Sequence, residues 1–168
     1  MLFRSAGALF YRLNADLAGA NVNTAQSVFG VGVTLAASTV YGFEALYSLS
    51  KTAGTTSHTI GLSFAGTATL NNILYATSLA GNTGGLPGND GSPQFAASNS
   101  ASNFQATSTA GGTTAIQNKT FIIRGTISIN AGGTLIPQYT CSAAPGGAYS
   151  TVAGSYIRFV PIGTAGSN

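Results

Sequence analysis

The stretch TVYGFEALYSL, residues 39–49, alternates two sets of side chains without a break. Tyr41, Phe43, Ala45, Tyr47 and Leu49 share one parity, and Val40, Gly42, Glu44, Leu46 and Ser48 share the other. Successive side chains of a strand point to opposite faces, so this pattern predicts a strand with one face in the core. The same period recurs in residues 57–64, where His58, Ile60, Leu62 and Phe64 alternate with Ser57, Thr59, Gly61 and Ser63. It recurs in residues 120–130, with Phe121, Ile123, Ile127 and Ile129 on the apolar parity, and in Val28–Leu35, with Phe29, Val31, Val33 and Leu35. Leu9–Leu13, Ala68–Thr77, Thr134–Cys141 and Tyr156–Ile162 complete the predicted strands. The only helix candidate, Asn14–Ala20, is a turn or two at most.

Short Gly- and Pro-containing segments separate the strands: Lys51–Thr56, Ala131–Gly133 and Ala144–Gly147. Many short strands joined by such turns predict an all-β fold, an antiparallel β-sandwich of jelly-roll-like form. At 168 residues the chain is expected to be a single domain, 1–168, with 1–25 as an N-terminal arm or first strand. Residues 80–114 are rich in Gly, Ser and Asn and show no alternation before Phe104, so they are expected to form one long loop inserted in the sandwich.

Charge is scarce. Three carboxylates (Asp16, Glu44, Asp90), six bases (Arg4, Arg12, Lys51, Lys119, Arg124, Arg158) and His58 are the chain's acid–base inventory. So few groups provide little material for proton transfer and argue against an enzyme. The bases are scattered, which argues against nucleic acid as a partner. The hydrophobic content of 44% supports a real core. A largely uncharged surface suits a structural subunit covered by neighbours, because interface centres are depleted of charge. The seven tyrosines, Tyr11, Tyr41, Tyr47, Tyr75, Tyr139, Tyr149 and Tyr156, are expected to supply uncharged contact surface.

No residue is assigned a catalytic, cofactor-binding or metal-binding role. His58 lies on an apolar strand face without further ligands near it in sequence, and reads as a core or interface histidine. Asp90 sits in a PGNDGSP turn that lacks the alternating acids of a calcium loop. Cys141 is the sole cysteine, which excludes an intrachain disulfide, and reads as a small buried hydrophobe. The Gly-Gly pairs at 84–85, 111–112, 132–133 and 146–147 lack the Lys-Ser/Thr of a phosphate loop and read as turns. Asn118–Thr120 matches a glycosylation sequon, but no secretory signal accompanies it: Arg12 interrupts the apolar run at the start. No stretch reads as a membrane-spanning helix, so no membrane is expected as a partner. Glu44 is different. If buried within its strand it calls for a cation, and Arg124 or Arg158, also in predicted strands, is the expected cross-strand partner.

Two long stretches, residues 10–78 and 123–163, resemble a recurrent module of tailed-bacteriophage virion proteins. SHTIG (57–61), FAGTATL (64–70) and NNI (71–73) carry the resemblance in the first, and GTLIPQY (133–139), SAAPGGA (142–148) and AGSYIRF (153–159) in the second. The resemblance implies a virion structural protein, with a capsid decoration or cement protein as the leading expectation and the capsid surface or tail as its location. The expected partners are the chain itself, as a homotrimer, and the major capsid protein or other virion proteins. The short MLFRSAGA leader favours a stand-alone coat component. Two alternatives stand beside it: a trimeric tail-fibre or spike domain that binds host-surface glycan, and an extracellular filament subunit assembled by strand exchange.

Overall fold

A computed structural model describes residues 7–82, 94–107 and 117–165 of the chain. Thirteen strands occur among them: β1 (Leu9–Arg12), β2 (Leu17–Ala18), β3 (Gln26–Ser27), β4 (Val33–Leu35), β5 (Thr39–Lys51), β6 (Ile60–Gly66), β7 (Thr69–Asn82), β8 (Gln94–Ser98), β9 (Phe104–Gln105), β10 (Gln117–Ala131), β11 (Gly133–Cys141), β12 (Ser150–Thr151) and β13 (Tyr156–Thr164). The described residues contain no helix. One sheet runs β1-β13-β5-β10-β7-β8, with β12 on β5 and β2 on β12. The other runs β3-β11-β6-β9, with β4 also on β11.

Every ladder is antiparallel, and the chain changes sheet at most steps. First pairs with last: β1 with β13, then β3 and β4 with β11, β5 with β10, and β6 with β9. That nested pairing is a jelly roll, two Greek keys wound into a sandwich. The antiparallel pair β7–β8 is inserted between β6 and β9 and widens the first sheet beyond β10. β12 and β13 act as one interrupted strand along β5. The jog between them turns at Gly154, whose φ of 91° favours glycine.

The predicted parities hold in the long strands. Tyr41, Phe43, Ala45, Tyr47 and Leu49 of β5 are buried, as are Phe121, Ile123, Ile127 and Ile129 of β10. An aromatic cluster joins the sheets. Phe43 stacks on Phe159 at 5.6 Å and meets Phe64 of the opposite sheet edge-on at 5.6 Å, while Tyr75 meets Phe64 at 5.2 Å and Phe104 at 5.4 Å. Such pairs contribute about 0.5–1.5 kcal/mol each beyond area burial. Gly125 lies in register between Phe43 and Tyr75, and its missing side chain lets the two rings approach across β10 to 6.3 Å.

Some expectations require correction. Val28–Leu35 is not one strand: Gly30, at φ 71°, breaks it. Both Val28 and Phe29 are therefore buried, and Val31 is left half exposed. Asn14–Ala20 contributes β2 in place of a helical turn, because Leu17–Ala18 pair with β12. Within 80–114, residues 94–98 and 104–105 are strands, though no alternation marks them. Residues 83–93 and 108–114, which include Asp90 and two of the Gly-Gly pairs, lie outside the described residues, as do residues 1–6 with Arg4. Of the expected arm, residues 9–12 and 17–18 pair within the chain's own sheet. Most of the tyrosines are not contact surface: five of the seven, Tyr41, Tyr47, Tyr75, Tyr139 and Tyr149, are buried core residues.

A Cβ at Gly125 would overlap the Leu74 carbonyl oxygen and the Tyr75 Cβ in the middle of the widest sheet. Gly125→Ala is expected to cost about 1–3 kcal/mol through overpacking, read as a lower urea midpoint at unchanged slope.

Candidate functional site

Two places gather the chain's few polar and charged groups. The first is the outward face of the long sheet. In β5 the residues facing away from the core are Gly42, Glu44, Leu46 and Ser48. Their register partners on either side are fixed by the β13 and β10 ladders. Glu44 lies opposite Arg158 on one side and Arg124 on the other. Arg158 Nη2 stands 3.1 Å from Glu44 Oε1, so the cross-strand pair expected for Glu44 forms with Arg158. Glu44 is about one-third exposed, and an exposed pair of this kind contributes at most about 1 kcal/mol.

Three register rows define this face. The charged row reads Phe10, Arg158, Glu44, Arg124, Ala76, Ala97 from β1 to β8. On one side lies Arg12, Tyr156, Leu46, Ile122, Ser78, and on the other Val160, Gly42, Thr126, Leu74. Ile162, the extra residue of a bulge in β13, folds over Gly42, and Phe10 stacks on Tyr156 at 5.5 Å. Of the eight large apolar side chains exposed among the described residues, six belong to this face: Phe10, Leu46, Leu74, Ile122, Val160 and Ile162. The opposite sheet presents outward Thr134, Ile136, Gln138 and Thr140 of β11, mostly a hydroxyl and amide surface.

The second place is the end of the sandwich where β5 finishes and β10 begins. Lys51, Gln117 and Lys119 continue the inward parity of Leu49 and Phe121 and are buried, each lysine only 1% exposed. Across from them the other sheet contributes His58, Tyr139 and Cys141, and the approach to β12 contributes Tyr149. Lys51 Nζ donates to the carbonyl oxygens of Ala53, at 3.3 Å, and Gly54, at 2.8 Å, and so secures the turn that follows β5. His58 Nδ1 lies 2.7 Å from the Thr56 carbonyl oxygen, so that nitrogen carries a proton. The Tyr149 hydroxyl stands 2.8 Å from His58 Nε2 and 2.8 Å from Gln117 Oε1, and its one proton serves one of them at a time.

Burial sets the ionisation of this cluster. Lys119 is pushed down to about 8 by burial first and by the charge of Lys51 second. Burial also lowers Lys51. His58 is lowered by burial, with Lys51 and Lys119 adding to the effect against the Thr56 hydrogen bond. Cys141 is pushed up to about 11 by burial, which keeps it a thiol. Lys119, at about 8, still holds its proton at neutral pH, so the arrangement is a cationic, hydrogen-bonded core end in which Cys141 stays a thiol.

Sequence reading placed His58 and Cys141 in the core, where they are found, and paired Glu44 correctly. It took Lys51 for a turn residue and drew nothing from Gln117 and Lys119. The signal was present: all three continue the buried parity of their strands. Among the described residues no group of three His, Cys, Asp or Glu stands close enough to hold a metal ion. No helix among them is long and apolar enough to cross a membrane. No family model, curated protein or solved structure matches this chain.

The two titrations with opposite consequences are separable. Lys119 in the unfolded chain keeps its proton to about 10.5, whereas folded it releases the proton from about 8. The unfolded state therefore binds more protons above pH 8, and stability rises with pH there. Cys141 works the other way above pH 9, because its folded form holds the proton longer. Urea unfolding between pH 7.5 and 9 is expected to show rising stability, and Lys119→Met should flatten that rise.

Proposed function

We propose that the chain is a structural subunit of a tailed-bacteriophage virion, a decoration or cement protein that stabilises the shell by burying surface against its neighbours. The observation that carries this reading is the outward face of the long sheet, where six of eight exposed large apolar side chains collect. Monomeric proteins rarely leave contiguous apolar patches of several hundred Å² uncovered, and such patches mark association sites. The resemblance of residues 10–78 and 123–163 to virion modules supports the same reading, and the jelly roll suits it, since this architecture recurs in viral coat proteins. The mechanism is mass action: a subunit that binds only the assembled shell adds its binding free energy to the shell's stability.

Against the fibre alternative, the tyrosines that would form a sugar platform are largely core residues. Against strand exchange, β1 and β2 already complete the chain's own sheet.

Gradient-purified virions from a host strain carrying the gene should contain the chain in many copies, and antibody against it should decorate the head in electron micrographs. Particles stripped of the chain should rupture at lower temperature and recover when it is added back. Labelling confined to the tail tip would favour the fibre, and absence from purified particles would overturn the proposal.

A further inference from the structure

The outward face of the long sheet carries a pattern that fits itself. Consider an axis parallel to the strands, midway between β5 and β10. Rotation about it places β5 of one copy over β10 of another, β13 over β7, and β1 over β8, as the strand order requires. Each register row then lies over itself, reversed. In the charged row Glu44 meets Arg124, Arg158 meets Ala76, and Phe10 meets Ala97. In the row on one side Leu46 meets Ile122 and Tyr156 meets Ser78, and in the other Val160 meets Leu74 and Gly42 meets Thr126.

We propose that this face is a homotypic interface, closed by a two-fold axis between β5 and β10, and that its occupant is a second copy of this chain. Three observations argue for it. Charge is self-complementary: the two Glu44–Arg124 contacts are equivalent by symmetry, and no like charges face each other along the row. Shape is self-complementary as well. The β1–β13 half is raised by Phe10, Tyr156, Arg158, Val160 and Ile162, whereas the β7–β8 half, Leu74 apart, carries a hollow around Ala76, Ser78 and Ala97. That hollow, about 550 Å³, is lined by Ala76, Ser78, Ala96, Ala97, Ile122 and Arg124. The axis sets the raised half of each copy into the hollow half of the other.

Area is the third. Six strands at about 4.8 Å spacing, over the nine residues Val40–Ser48, span about 24 by 27 Å, or roughly 650 Å² per copy. A pair buries roughly 1,300 Å², which clears the roughly 1,000 Å² of a specific interface. Aligned packing of two sheet faces at about 10 Å also leaves room for an Arg–Glu bridge.

The inference starts from the same face that carries the virion reading, names a second copy as the neighbour that covers it, and replaces the three-fold symmetry expected from the resemblance with a two-fold one. It is tested by sedimentation equilibrium on the purified chain from about 1 to 100 µM, with Glu44→Arg and Arg124→Glu run alone and as an equimolar mixture. The wild type is expected to be a dimer. Each single variant places like charges together twice and should weaken the dimer by about 100-fold. The mixture should recover it, because only the heterodimer restores both oppositely charged contacts. Recovery also shows that both variants are folded. A monomeric wild type, a trimer, single variants that dimerise unchanged, or a mixture that stays monomeric would each overturn the two-fold. Head labelling of virions by a monomeric chain would sink the two-fold and leave the virion reading in place. A rescued dimer absent from virions would do the reverse.

Discussion

The register between β5 and β10 is the constraint on which the remaining structure depends. Thirteen consecutive residue pairs, from Gln117 opposite Lys51 to Ile129 opposite Thr39, run without a shift. Because side chains alternate with a period of two, a slip of one residue would set the buried face of one strand beside the exposed face of the other. With β5 held in place, Phe121, Ile123 and Ile127 would turn to solvent and Arg124 into the core. The cost of stranding a charge there is several kcal/mol, so the ladder admits one register. The same choice fixes three features at once: the aromatic cluster around Gly125, the Arg158–Glu44–Arg124 row outside, and the lysines inside the end of the sandwich.

How much of this was legible in the sequence follows from that period. Where a strand has one wet face and one dry face, alternation reports it, and β5, β6, β10 and β13 were readable on that basis. β6 shows the limit, since Gly61 and Ser63 on its polar parity are also buried, with the Asn103 side chain lying over Gly61. β8, in contrast, is a five-residue segment (QFAAS) with no apolar alternation, whose pairing to β7 comes from backbone hydrogen bonds, and these leave no mark on hydropathy. Gly30 stopped a strand that apolar alternation alone would have continued through it. The jelly-roll order was open to the sequence only as a class, because nested pairing of first with last is set by long-range contacts.

The outer face was hidden for a different reason. Leu46, Ile122, Val160 and Leu74 all fall on the solvent parity of their strands, interleaved with Glu44, Arg124, Arg158 and Thr126. Along any one strand each is a single exposed aliphatic residue, and single exposed aliphatics are ordinary. Only the register sets them side by side as a patch flanking a charged row. The Glu44 pairing was readable because one acid and three arginines (Arg12, Arg124 and Arg158) in predicted strands leave few combinations. The patch needed the strand order.

The scarcity of charge gains a physical sense from where the charges lie. Three of the described charged residues, Arg158, Glu44 and Arg124, form the outer row, and two, Lys51 and Lys119, are buried at the sandwich end. Asp16 is occupied at the surface, its Oδ1 accepting from the Ala153 N–H at 2.8 Å, where it holds the jog between β12 and β13. Arg12 stands in the adjacent row of the same face, so most of the described charge is gathered there and must be matched by whatever covers it. A protein with this distribution relies on hydroxyls and amides for much of its wet surface, as on the β11 face, and has one face where six large apolar side chains are exposed around a charged row. Burying an exposed ion pair is costly when it is left alone, but a row that meets oppositely charged groups on its partner keeps each charge compensated after water is expelled. The alternation of acid and base across β13, β5 and β10 thus limits the partners this face tolerates to those with the reversed pattern, and the chain itself carries that pattern.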